Sequence, residues 1–319
     1  MLTLFSTPKP FAGHIAVIQR NALRSWKALD PQIEIMLFGD EPGTAEICRE
    51  LGLRHLPDVQ RTDEGTKLVS SIFGPAQELA RHNTLCYVNC DIVLGRDFAQ
   101  SIQRAADWGR RFLMVGRRWD SDIAWPIDFS DAAWEPNLRE FVLRKGVQRL
   151  YYNIDYFAFT KGIYTDIPPL AIGRVWWDHW LIWKAAQQGA AVIDASDAVF
   201  AMHQNHDYAY HPEGQTGVWY GEGSQQNFKV AGGYRHLHTL EDASFRMTAQ
   251  SIEPRRLYWA SPALRAVRRV VKKARDTTRV RVLHPLYDAT RSLRHGIGLN
   301  QHNLQLKTKK SIRRHEFDR

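Results

Sequence analysis

Asp91 and Asp178 are the two carboxylates whose surroundings in the sequence suit catalysis. The strand-forming run Leu85-Cys86-Tyr87-Val88 leads directly into Asn89-Cys90-Asp91, and a second apolar run, Ile92-Val93-Leu94, follows. A buried strand that ends on a carboxylate delivers it to the carboxyl edge of a parallel sheet, where open α/β sheets bind ligands. The plainer reading is a polar loop after a core strand. Asp178 lies in Trp176-Trp177-Asp178-His179-Trp180, in the first turn of a helix expected to run to Gln188 and to stop at Gly189. An acid there serves the helix dipole. With Trp176, Trp177, Trp180 and Trp183 around it, it also suits a general base beside a flat-faced substrate, because a poorly hydrated carboxylate accepts protons more readily.

Other side chains could supply charge. Arg117 and Arg118 follow the strand Phe112–Val115, and adjacent guanidiniums at a strand end suit a diphosphate, or are simply solvated. His203 and His206 follow a predicted strand over 198–202; at this spacing they bind metal only on a tightly turned backbone, and such a pair is more often structural. Asp40 ends the second strand, where an acid contacts a base or ribose, or starts the turn before Pro42.

The elements that must position these groups alternate. Strands are predicted at 2–5, 33–38, 53–56 and 85–88, separated by helices over 15–29, 44–51 and 66–80. Beyond Asp91 come a helix (98–108), the strand 112–115, a helix (138–144) and the strand 155–159, headed by Asp155. Two further short strands, at 191–194 and 198–202, follow the Asp178 helix. The pattern predicts a mostly parallel sheet with helices on both faces. The Gly-rich segment 212–233 reads as a mobile loop or lid. The absence of Gly-x-Gly-x-x-Gly and of Gly-x-x-x-x-Gly-Lys from the first half argues against dinucleotide dehydrogenases and P-loop NTPases.

Composition divides the chain. The net charge of +9 conceals 18 Lys and Arg against 4 Asp and Glu in residues 255–319, which leaves residues 1–254 mildly acidic. Ala260, Leu264, Val267, Val271 and Ala274 share one arc of a helix whose other side carries six basic residues. This basic helix over 260–275 suits an anionic membrane surface, or docks on the acidic body. From Lys307 the chain is polar, basic and expected to be disordered. No apolar run is long enough to span a bilayer, and the N-terminus lacks the features of a signal peptide. Three cysteines at no metal-ligand spacing fit a reducing compartment, so the expected location is cytoplasmic, peripheral at the inner face of a membrane if the basic helix binds there. Two domains are expected, 1–250 and the extension 251–319.

The ordered set Asn89-Cys90-Asp91, Gly116-Arg117-Arg118-Trp119-Asp120, the strand at 155–159, the Pro168 to Leu181 block and His203-Gln204-Asn205-His206 resembles the nucleotide-diphospho-sugar transferases, glycosyltransferases of the GT-A fold. The resemblance spans roughly residues 1–240. It implies a Rossmann-type mixed, mostly parallel sheet and transfer of a sugar from a nucleotide-sugar donor to a glycan or lipid-linked acceptor. It further implies a divalent cation, Mn²⁺ or Mg²⁺, held by Asp91 and His203. Ser6, Thr7, Asp40, Asn89, Arg117 and Arg118 then face the donor, Asp155 and Trp177 the acceptor, and Asp178 is the base. Asn89 departs from the family's Asp-x-Asp pattern by one charge. Two alternatives remain: a sugar-nucleotide-forming nucleotidyltransferase, and a nucleic-acid-binding protein that uses the basic tail but lacks any reading motif.

Overall fold

A computed structural model describes residues 1–207, 213–255 and 270 of the chain. The predicted basic helix over 260–275, apart from Val270, and the tail from Lys307 lie outside the described residues. Met1–Arg255 pack as one compact unit.

The first half runs β1 (Leu2–Ser6), α1 (Gly13–Leu29), β2 (Glu34–Phe38), α2 (Thr44–Leu51), β3 (Arg54–Leu56), α3 (Ser70–Leu79), β4 (Thr84–Val88), β5 (Ile92–Val93), α4 (Arg96–Asp107), β6 (Phe112–Val115) and β7 (Arg118–Ser121). Then come α5 (Trp134–Lys145), β8 (Val147–Gln148), β9 (Tyr156–Thr160), α6 (Trp177–Gln187), β10 (Ala191–Asp194), β11 (Ala201–Gln204), α7 (Gly214–Tyr220), α8 (Glu222–Ala231), β12 (Phe245–Met247) and β13 (Ile252–Pro254). The fold is α/β, with a nine-stranded sheet ordered β13-β12-β10-β6-β9-β4-β1-β2-β3. It is mostly parallel; β9 runs antiparallel between β4 and β6, and β13 antiparallel to β12. A four-stranded sheet, β5-β11-β7-β8, lies apart from it.

Strand alternation builds a core on each face of the large sheet. Phe5 and Tyr87 point into one cluster with Phe73, Phe159 and Trp177, while their chain neighbours Leu4 and Cys86 point into the other with Trp26, Phe98 and Tyr156. Aromatic edges tighten the first, with Phe5 and Phe73 centroids 5.0 Å apart at 82°. Apolar runs with no polar alternation are what a sheet covered on both faces requires.

Three expectations change. The helix expected from Thr66 begins at Ser70, because Lys67 and Leu68 pair in extended bridges with Arg61 and Ala171. The segment 212–233, expected to be a mobile loop or lid, forms α7 and α8 in its described part, and Asn227 on α8 is buried. Its side chain accepts from the Ala171 N–H and donates to the Ala171 and Val175 carbonyls, which ties the helix to the loop before α6. Finally, the strand expected over 198–202 lies at 201–204, which puts His203 inside β11.

Candidate active site

The turn after β4 is pinned from both sides. Asn89 takes the Asp155 carbonyl with its backbone N–H at 2.9 Å and the Asp155 carboxylate with its side chain at 2.6 Å. Gln204 donates to the Asp91 carbonyl through its backbone at 3.2 Å and its side chain at 3.1 Å. The Asp91 side chain is thereby aimed at two imidazoles. Its Oδ2 lies 3.2 Å from His206 Nε2 and 3.8 Å from His203 Nε2, while the buried Oδ1 has no hydrogen-bond partner among the described residues. One ligand atom from each of Asp91, His203 and His206 falls within 4.8 Å of the others.

Sheet register places the histidines. His203 on β11 pairs with Asp120 on the parallel strand β7 and with Ile92 on the antiparallel β5. Its Nδ1 consequently lies 3.3 Å from Asp120 Oδ1, off the line of a full hydrogen bond, and its Nε2 faces Asp91. His206 Nδ1 lies 2.6 Å from the Asp207 carbonyl oxygen. Each ring thus turns Nδ1 toward an oxygen and Nε2 toward the carboxylate, the arrangement in which metal-bound imidazoles are held. An orphaned buried carboxylate oxygen with two imine nitrogens is a donor set for a borderline divalent cation, so these residues fit the implied metal. Burial acts to raise the Asp91 carboxyl, but His203, His206 and Lys9 outweigh it and hold it far below the carboxylate range.

Behind the triad runs a line of ion pairs. Arg118 donates from Nε to Asp120 and from a terminal nitrogen to Asp155, both at 2.7 Å, and Arg149 lies 3.2 Å from Asp120. Arg118, expected to contact the donor, is half-buried and paired with these two acids. Asp155, expected to contact the acceptor, is 5% exposed and accepts from Asn89 and Arg118. Arg117 reaches Asp197 at 3.9 Å.

Asp178 opens α6. The preceding Trp176 adopts φ 88°, a left-handed conformation that costs a bulky residue about 1–3 kcal/mol. Packing on Phe228, Tyr234 and His179 holds it there. Asp178 Oδ1 is buried without a hydrogen-bond partner among the described residues, and Oδ2 lies 3.8 Å from His179 Nε2. Burial raises its carboxyl above the usual value and nearby Asp155 adds to this, against the opposing pull of His179. Trp177, expected to face the acceptor, is instead core: its ring meets Tyr87 at 5.4 Å and Phe157 at 5.6 Å.

The ends of β1 and β2 carry a second polar group. Ser6 donates to the Val88 carbonyl and Thr7 to the Phe38 carbonyl. Buried Lys67 donates to Thr7 at 2.6 Å and to the Pro8 carbonyl at 3.1 Å, and pairs with Glu41. Arg61 bridges Glu41 and the exposed Asp40, at 3.1 and 2.6 Å.

The geometry therefore brings together Asp91, His203, Asn89, Arg118 and Asp155, with Asp178 near Asp155, and leaves Ser6, Thr7 and Asp40 at the neighbouring edge. His206 was legible as the partner of His203. Lys9, Lys67 and Arg61 carried no sequence signal beyond a basic side chain.

No protein-family model and no curated protein matches the chain. Among solved structures, TarS of S. aureus in complex with UDP-GlcNAc is 12% identical with a TM-score of 0.45, covering 65% of this chain and 59% of that one. A Pyrobaculum calidifontis mannosyltransferase with GDP-Man and Mn²⁺ is 15% identical with a TM-score of 0.38, covering 63% and 56%. A candidate glucose-1-phosphate thymidylyltransferase of Bacillus anthracis is 9% identical with a TM-score of 0.40, covering 64% and 89%. The chain spans less than three-fifths of the length of the first two. Solved structures similar to this chain thus include one bound to UDP-GlcNAc, a mannosyltransferase and a candidate thymidylyltransferase.

Proposed function

We propose that the chain is a glycosyltransferase that moves a sugar from a nucleotide-diphosphate donor to an acceptor hydroxyl. The observation that carries this reading is a pair of mostly buried carboxylates tuned in opposite directions, one in the turn after β4 and one in the first turn of α6. Asp91 is held ionised among imidazoles with one oxygen unpartnered, and Asp178 is pushed toward its protonated form with one oxygen unpartnered. Two carboxylates set apart in this way divide charge binding from proton transfer.

In this reading Asp91, His203 and His206 hold a divalent cation, which when bound neutralises the departing diphosphate. Asn89, Arg118 and Asp155 keep the turn rigid. Asp178 Oδ1 accepts the proton of the attacking hydroxyl; its raised proton affinity improves it as a base while reducing the fraction ionised at neutral pH. Asp40, Ser6 and Thr7 border the nucleotide, with Arg117 beside the phosphates. A sugar-nucleotide-forming enzyme would need a loop of backbone donors after β1 for a triphosphate, and Pro8 and Pro10 remove two such donors there.

The test is a thermal-shift panel of nucleoside diphosphates and nucleotide sugars with and without Mn²⁺. A donor at about a hundredfold excess over its Kd adds roughly 2.7 kcal/mol to the native state. The expected result is a metal-dependent rise for one nucleotide family, absent in Asp91→Asn. No metal-dependent rise with any donor removes the assignment.

A further inference from the structure

His206 Nε2 offers one lone pair, and two groups claim it. The ring's Nδ1 is 2.6 Å from the Asp207 carbonyl oxygen, which only accepts, so Nδ1 carries the proton and Nε2 of the neutral ring is an acceptor. That nitrogen is 3.2 Å from Asp91 Oδ2, also an acceptor, and 3.1 Å from the Lys9 ammonium. The Lys9 ammonium donates to that nitrogen and is attracted by the Asp91 carboxylate.

Lys9 is placed there by construction. Pro8 and Pro10 restrict the backbone on either side of it. Gln19, buried on α1, accepts from the Lys9 N–H at 2.6 Å and donates to its carbonyl at 2.8 Å. Of the neighbouring acids, Asp120 has Arg118 and Arg149 and Asp155 has Arg118, while both Asp91 and Asp207 attract the Lys9 ammonium.

We propose that Lys9 is the resident counter-cation of the Asp91–His203–His206 corner, and that a divalent ion binds there only by displacing the ammonium from His206 Nε2. This rests on the metal reading above and adds the residue that sets the affinity of the site.

The experiment titrates Mn²⁺ into the full chain and into Lys9→Met, Lys9→Arg and Asp91→Asn, reading free Mn²⁺ by electron paramagnetic resonance. Removing one charge beside the ion should tighten Mn²⁺ by about tenfold or more in Lys9→Met, and Lys9→Arg should not reproduce the gain. Lys9→Met leaves Asp91 without its cation, so its melting temperature is also read. Mn²⁺ should raise it by more than it raises the wild type, and Lys9→Gln provides the same comparison if Lys9→Met does not fold. Equal or weaker Mn²⁺ binding in the neutral variants, with binding still lost in Asp91→Asn, overturns the competition and leaves the metal reading standing. No Mn²⁺ binding in any form overturns both.

Discussion

Asp120 and His203 are register partners on the adjacent parallel strands β7 and β11, and that pairing alone puts Asp120 Oδ1 3.3 Å from His203 Nδ1. A carboxylate behind an imidazole fixes which nitrogen carries the proton and leaves the other as a ligand. Asp120→Asn keeps the shape and loses the charge, so Mn²⁺ affinity should fall about 10–100-fold, the usual cost of losing such a support. Free-Mn²⁺ titration against wild type measures it. An affinity within twofold of wild type would show that β-sheet register suffices to hold the ring.

Arg118 stands between Asp120 and Asp155 with little access to water, and its removal leaves Asp155 without its cation while Asp120 keeps Arg149. Breaking a buried pair from one side costs about 3–5 kcal/mol, much more than the pair contributes against an apolar substitute. Arg118→Met should therefore lower the urea midpoint strongly, and Arg118→Met with Asp155→Asn should recover part of the loss. If the double variant is no more stable than the single one, the Asp155 carboxylate is not the group left uncompensated.

Asp178→Asn should gain stability while losing transfer. Burial raises the native carboxyl above its unfolded value, so the folded form binds more protons between the two values and stability falls as pH rises through that window. Above the folded value the full cost of the buried charge is present. The neutral amide avoids it, and the gain should be about 1 kcal/mol or more at neutral pH, shrinking toward zero below the ordinary carboxylate range. Thermal melts from pH 3 to 8 read this out. A gain that grows as the pH falls would reverse the sign and place Asp178 among the stabilising acids.

The sheet was legible because unbroken apolar runs such as Leu85–Val88 have few other uses, and Asp91 and Asp178 stood out as acids set into such runs. What stayed hidden depends on pairing between distant strands. Nothing local tells that Arg118 turns toward Asp155, 37 positions away, instead of toward a ligand. Trp177 looked like a binding surface because tryptophan serves cores and sugar faces equally, and only its contacts with Tyr87 and Phe157 decide. The segment 212–233 looked like a mobile loop or lid because glycine lowers helix propensity, yet Asn227 and its three hydrogen bonds hold the second helix in place. Lys9, between two prolines, showed no period at all.

Gly116 is where the chain leaves β6 of the large sheet for β7 of the small one, and it determines whether Arg117 and Arg118 arrive in register. A Cβ there would lie 2.1 Å from Tyr156 Oη, with Tyr156 Cζ at 3.1 Å and the Ser196 nitrogen at 3.2 Å. Gly116→Ala should accordingly cost about 1–3 kcal/mol by overpacking. Tyr156 Oη is buried without a hydrogen-bond partner, so Tyr156→Phe should be close to neutral or slightly stabilising. The phenylalanine removes the nearest clashing atom, so Gly116→Ala combined with Tyr156→Phe should lie well above the sum of the single effects, the coupling expected of residues in contact. Urea unfolding of the four proteins completes the cycle. Simple additivity would mean that the alanine is refused by the Ser196 backbone rather than by Tyr156, and that the turn into the site is set from β10.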